Sequence, residues 1–138
     1  MNFKNTIRYL EGNKTIARPQ TAASTEIEQL IIDSIYEIKG DQITKLDLTG
    51  LEEASCDSFI ICNGRSHTQV KSIADNIQLR LKREHGIYPN HVEGEREATW
   101  ILIDYFDIVV HVFYPEVREF YGLEQLWADA TSTEYASI

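Results

Sequence analysis

The sequence predicts a single α/β domain: one mixed β-sheet flanked by helices. The strongest indication is the order of patterned segments, which runs helix, two strands, helix, further strands and a last helical stretch, as expected for layered α/β packing. The length of 138 residues matches one ordinary domain. Apolar residues at 43% and charged residues at 25% fall in the globular range, so wholesale disorder is excluded. The longest strongly apolar runs, Ile101–Ile103 and Ile108–Val110, are far short of the roughly 18–20 residues of a membrane helix.

Taken in order, Thr25-Glu26-Ile27-Glu28 reads as a capping box with Thr25 as the N-cap. Ile27, Leu30, Ile31, Ile35 and Ile38 then recur at helical spacing, and Gly40 marks the stop. Gln42–Leu48 alternates, with Leu46 and Leu48 on one side and Ile43 on the other, and predicts a strand turned at Thr49-Gly50. Asp57–Asn63 is a second, more buried strand. Ser66 and Gln69 form another capping box, opening a long helix with Val70, Ile73, Ala74, Ile77 and Leu81 inward and Gly86 at its end. Pro89–Glu93 suits a short edge strand. Ala98–Asp104 and Asp107–Phe113 are rich in β-branched and aromatic residues and pair as a hairpin. A two-residue turn there would set Asp104 against Asp107, Leu102 against Val109 and Trp100 against His111. Opposed like charges and the absence of Gly favour a slightly longer turn. The strand–helix–strand passage through residues 57–104 reads as a right-handed crossover. Pro115–Tyr121 and Leu123–Ala130 form one or two C-terminal helices, broken at Gly122. Residues 1–24 read as a basic extension, 25–130 as the domain, and 131–138 as a frayed tail.

The net charge is −9, from 13 Lys and Arg against 22 Asp and Glu. Residues 1–20 hold Lys4, Arg8, Lys14 and Arg18 against Glu11, a net of +3, which leaves −12 for the rest. An acidic domain repels phosphate backbones and favours a basic protein partner. The extension has few Ser residues, no arginine-rich amphipathic pattern and no apolar core region, which speaks against a transit or secretory signal. Cys56 and Cys62, roughly 20 Å apart along an extended strand, are too distant for a disulfide and suit free thiols in a reducing cytoplasm.

Asn63-Gly64-Arg65-Ser66 lies between a strand and a helix N-terminus, where backbone N–H groups can hold phosphate. A nucleotidyltransferase would also need paired carboxylates on a neighbouring strand, and no Asp-x-Asp or Asp-x-Glu stands on one here. An ordinary capped turn is the better reading, with a nucleotide-handling enzyme as the alternative. His111, alone in Ile108–Phe113, has no placed nucleophile beside it. Trp100, Tyr105, Phe106, Phe113, Tyr114, Phe120, Tyr121 and Trp127 crowd the hairpin and C-terminal segment. Core packing accounts for at least half of them, while Trp and Tyr are also favoured interface anchors.

A set of short motifs occurs in fixed order. It comprises Leu46-Asp-Leu48, Asp57-Ser-Phe-Ile-Ile-Cys-Asn-Gly64, Ser66, Ile73-Ala-Asp75, Glu93-Gly94, Trp100-Ile-Leu-Ile-Asp104, Val109-Val-His-Val-Phe113 and Arg118-Glu-Phe-Tyr-Gly-Leu-Glu-Gln-Leu-Trp127. Over about residues 26–129 this closely resembles the ribosomal silencing factor family, also called Iojap-related. Phe106 departs from it, standing where the family often has Gly in the hairpin turn.

The resemblance implies a nucleotidyltransferase-like fold without that activity, with no catalytic residues, metal or cofactor. It implies binding to the large ribosomal subunit through ribosomal protein number fourteen (L14 type). It further implies a steric block to joining of the small subunit, which lowers translation under nutrient limitation. A large-subunit assembly role is a third and weaker alternative. It also implies a cytoplasmic protein, often homodimeric, with no membrane and no sequence-specific nucleic acid as partner. Carried onto the matched positions, it places Trp100, Asp104, His111, Arg118, Tyr121 and Trp127 at or beside the partner surface.

Overall fold

In the computed structural model, residues 23–136 are described; the basic extension through residue 22 and the last two residues lie outside them. Four helices and six strands follow one another: α1 (Ala23–Glu37), β1 (Asp41–Asp47), β2 (Ser58–Asn63), α2 (His67–His85), β3 (His91–Glu93), β4 (Trp100–Asp104), β5 (Ile108–Phe113), α3 (Pro115–Tyr121), α4 (Leu123–Leu126) and β6 (Thr131–Glu134). The strands form one mixed sheet in the order β3-β4-β5-β2-β1-β6. Only β2 and β5 pair in parallel; the other neighbours are antiparallel.

Alternation along the central strands divides their side chains between two cores. Ile60, Cys62, Ile101, Ile103, Val110 and Val112 face α1 and α2, meeting Ile27, Leu30, Ile31 and Ile35 from one helix and Val70, Ile73, Ala74, Ile77 and Leu81 from the other. Burying each such aliphatic side chain contributes about 1.5–3 kcal/mol, so this face holds the bulk of the fold. Phe59, Ile61, Trp100, Leu102, Val109 and Phe113 point the other way. That second face is covered more thinly, by α3, α4 and the 48–57 loop, through Leu123, Leu51, Val117, Tyr121 and Trp127. The two thiols are free and buried, Cys56 on the second face and Cys62 on the first. Burial pushes the Cys62 thiol up to about 12, so it stays protonated.

Both ends of α2 are closed as the sequence predicts. The Ser66 hydroxyl accepts from Gln69 N at 3.1 Å, and Gly86 takes the left-handed conformation at φ 65°. At the end of α1, Lys39 is the left-handed residue, at φ 62°. Gly40 is needed for space instead, because a Cβ there would sit 2.5 Å from Ile35 Cγ2.

Two expectations are corrected, the Thr25 cap and the C-terminal tail, and two others are made specific. The helix α1 starts at Ala23, so Thr25 lies in its first turn and is no N-cap; Glu28 instead pairs with Lys45 Nζ at 2.7 Å. The hairpin sets Asp104 against Val109 and Trp100 against Phe113, in keeping with the expected departure from a two-residue turn at Tyr105-Phe106. Asp104 Oδ1 accepts from Phe106 N at 2.7 Å, and Phe106 takes φ 69°, which separates Asp104 from Asp107. The passage from β2 through α2 leads to the edge strand β3, which runs parallel to β2 beyond β5 and β4, and only then to β4; the direct parallel neighbour of β2 is β5. Thr131–Glu134, read as part of a frayed tail, pairs with β1 as an edge strand, followed by Tyr135 N donating to Ile43 O at 2.9 Å.

Candidate partner-docking face

The Asn63–Ser66 turn buries Asn63 and Gly64 and exposes Arg65 and Ser66. Besides the Ser66 cap, Gln69 Oε1 accepts from Arg65 N at 2.6 Å, and Gln69 Nε2 donates to Ile38 O and Lys39 O. A Cβ on Gly64 would come within 2.8 Å of Val70 N, so this glycine allows the helix to approach the strand. The turn joins α1, β2 and α2. Among the described residues, no group of three His, Cys, Asp or Glu side chains is placed to hold a metal.

The chemistry of the second sheet face is aromatic. Trp100 is buried on β4, and its Nε1–H donates to Nδ1 of the buried His111 at 3.0 Å. That bond makes Nδ1 the acceptor and leaves the proton on Nε2, which has no partner. Burial pushes the His111 imidazole down to about 3, so it is neutral at ordinary pH. Trp100 stacks on Phe113 at 4.9 Å and lies 5.2 Å from the Tyr121 ring. Tyr121, half-buried on α3, meets Phe120 edge-on at 4.9 Å. Trp127, also half-buried, closes on Phe59 at 5.9 Å. The rings thus form a continuous chain of tilted and edge-on contacts from His111 through Trp100 and Tyr121 to the outermost, Phe120, which is 81% exposed.

Arg118 lies on the inner side of α3, 9% exposed. Its Nη1 donates to Gln42 O at 2.6 Å and Asn63 Oδ1 at 2.9 Å. Nη2 donates to Thr44 Oγ1 at 3.2 Å and Glu124 Oε2 at 3.3 Å, and Nε to Glu124 Oε1 at 3.2 Å. Beside it, a polar groove of about 440 Å³ runs between α3–α4 and β6, lined by Gln42, Thr44, Asn63, Glu124 and Glu134.

The structure brings together Trp100, His111, Arg118, Tyr121 and Trp127 under the C-terminal helices. Asp104 stands apart, buried at the far end of β4, where it shapes the hairpin turn. Trp100, Asp104, His111 and Arg118 are buried, so none of them presents its side chain at the surface; Tyr121 and Trp127 are half-buried. What stands above them is Phe120 and the 54%-exposed Leu126. Their exposure is readable only from phase: Val117 and Tyr121 share the inward side of α3, and Phe120 falls off it. Glu116, Glu119, Asp129 and Glu134 are exposed around them, and the one cation between residues 115 and 136 is the inward Arg118. An apolar knob in an acidic rim is suited to a basic protein surface.

Residues 21–138 match the sequence model of a family described as "Ribosomal silencing factor during starvation". The chain is 36% identical over 116 residues to ribosomal silencing factor RsfS of Halalkalibacterium halodurans, covering 84% of this chain and 97% of that protein. It is 42% identical over 92 residues to RsfS of Bacillus subtilis, covering 67% and 76%. The fold matches a crystal structure of a Chromobacterium violaceum protein with TM-score 0.71 at 38% identity, covering 75% of this chain and 85% of that one. With the motif order, the fold and these matches in agreement, the chain belongs to the ribosomal silencing factor family.

Proposed function

We propose that this protein binds the large ribosomal subunit through ribosomal protein number fourteen and, standing on the intersubunit surface, blocks joining of the small subunit. Family membership over residues 21–138 is the observation that carries the reading. The acidic rim around Phe120 and Leu126 supports a basic protein handle, steering encounter at low salt. Such a block needs no bond-making chemistry; it needs a bound body of about 30 Å in the other subunit's path. On this reading the protein acts in the cytoplasm, as a repressor under nutrient limitation, and a second copy of the chain is a further partner. No described helix is long and apolar enough to cross a membrane.

Sedimentation tests this. Purified protein should travel with large subunits and lower their association with small ones. Phe120→Ser with Leu126→Ser should weaken that binding at least tenfold at unchanged melting temperature, because both side chains are exposed. Wild-type protein remaining at the top of a low-salt gradient would overturn the proposal.

A further inference from the structure

Because the bonds of Arg118 reach three separate elements, we infer that it is a positioning residue: it fixes the α3–α4 unit on the sheet, and so holds the face carrying Phe120 and Leu126 in its docking geometry. The inference rests on the function proposed above.

The C-terminal helices rest on the sheet through Leu123, Val117, Tyr121 and Trp127, contacts that are apolar and aromatic, and Arg118 adds the directional bonds. The α3 helix spans seven residues and α4 four, with Gly122 between them at φ 58°, a conformation that interrupts the helix. Arg118 is the one fully buried residue of α3, and Leu123 that of α4. Hydrophobic contact alone resists sliding poorly, because it has no direction. A guanidinium has five N–H donors in a rigid planar fork. All five are used here, on β1 through Gln42 and Thr44, on β2 through Asn63, and on α4 through Glu124. The Arg118 carbonyl also accepts from Gly122 N at 2.9 Å, so one residue ties both sides of the break.

The sheet is shaped to meet it. The β1–β2 register shifts between Asp41 and Thr44, and within that bulge Gln42 takes φ 51°. A non-glycine residue holds that conformation only at a cost in free energy. Here Gln42 supplies the carbonyl that makes the shortest of the Arg118 bonds. Bulges commonly re-aim groups beside functional sites.

The test uses the full chain and two measurements. Arg118→Met keeps the length without the donors, and Arg118→Lys keeps the charge without the fork. Thr44→Val removes one acceptor at a buried position, 7% exposed. Hydrogen exchange of the 115–127 amides should quicken at least tenfold in both Arg118 variants, while α1 and α2 keep their protection. Affinity for large subunits should fall at least tenfold in both, and about threefold in Thr44→Val. The Thr44→Val/Arg118→Met double variant should be no weaker than Arg118→Met alone, because the two act through one bond network. Loss of affinity with unchanged exchange and a silent Thr44→Val would make Arg118 a direct contact and overturn the inference. So would wild-type affinity in Arg118→Met. If wild-type protein itself does not bind subunits, the proposed function fails, while the exchange result still decides whether Arg118 holds the unit.

Discussion

Replacing Trp100 by Phe removes one N–H and part of one ring from the centre of the second core. The Trp100 Nε1–H donates to His111 Nδ1 at 3.0 Å, and His111 Nε2 has no partner. The variant therefore leaves a fully buried imidazole with no partner on either nitrogen. An orphaned buried polar group costs about 1–3 kcal/mol. Shrinking indole to phenyl where Phe113 and Tyr121 pack on it costs about 1–2 kcal/mol more. A loss near 3 kcal/mol lowers the melting temperature of a domain this size by about 10 °C. Thermal unfolding followed by circular dichroism measures it. Trp100→Phe with His111→Leu removes both polar groups, so the double variant should be more stable than the sum of the single losses by about 1–2 kcal/mol. A melting point within 2 °C of wild type for Trp100→Phe, or strict additivity in the double variant, would refute a buried Trp–His pair that stabilises the sheet.

Three further outcomes follow from the same geometry. His111 has a folded-state pKa of about 3, below its unfolded value near 6.5, so the unfolded chain binds the extra proton between those values. Stability should fall as pH drops through that window, by about 1.4 kcal/mol per unit, and urea titrations of His111→Leu should show a shallower fall. Gly64→Ala pushes a Cβ within 2.8 Å of Val70 N and 2.9 Å of its Cγ2, so it should cost about 2 kcal/mol in denaturant melts; no loss would mean that α2 moves away freely. At Phe106, φ 69°, Gly and Ala both delete the ring, but only Gly accepts the backbone without strain. Phe106→Gly should therefore melt above Phe106→Ala by about 1 kcal/mol of stability, and equal melting points would refute strain at this turn.

Where periodicity and capping agree, the sequence was enough. In α2 the inward set, the Ser66 cap and the Gly86 stop are all as read, because nineteen residues of 3.6-residue repeat leave little choice of face. The central strands were legible from composition instead, being rich in β-branched and aromatic residues and buried along their whole length. The edge strand β6 was not. All four side chains of Thr131–Glu134 are exposed, so no apolar pattern marks it, and its pairing with β1 is a matter of backbone bonds alone. The departure of the hairpin from a two-residue turn at Tyr105-Phe106 was legible in its opposed carboxylates, but the exact register was not, because Phe106 adopts a conformation that favours Gly. The candidate site was legible as a neighbourhood and illegible as a surface. Depth depends on where two short helices dock, and no local pattern in Pro115–Leu126 encodes that.

Arg118 shows what that distinction changes. Read as an exposed cation, it would put positive charge at the partner surface. Turned inward, it removes the only positive charge between residues 115 and 136 from that surface, leaving Glu116, Glu119, Asp129 and Glu134 around Phe120 and Leu126. Such a face is repelled by bare phosphate. On the proposed reading its affinity comes from the apolar pair, while the carboxylates chiefly set encounter rate and exclude RNA as a competing target. A particle that is mostly RNA would then be approached at one of its protein patches. On that reading the acidic balance of the chain is compatible with the proposed ribosome binding, and narrows the places where it would occur.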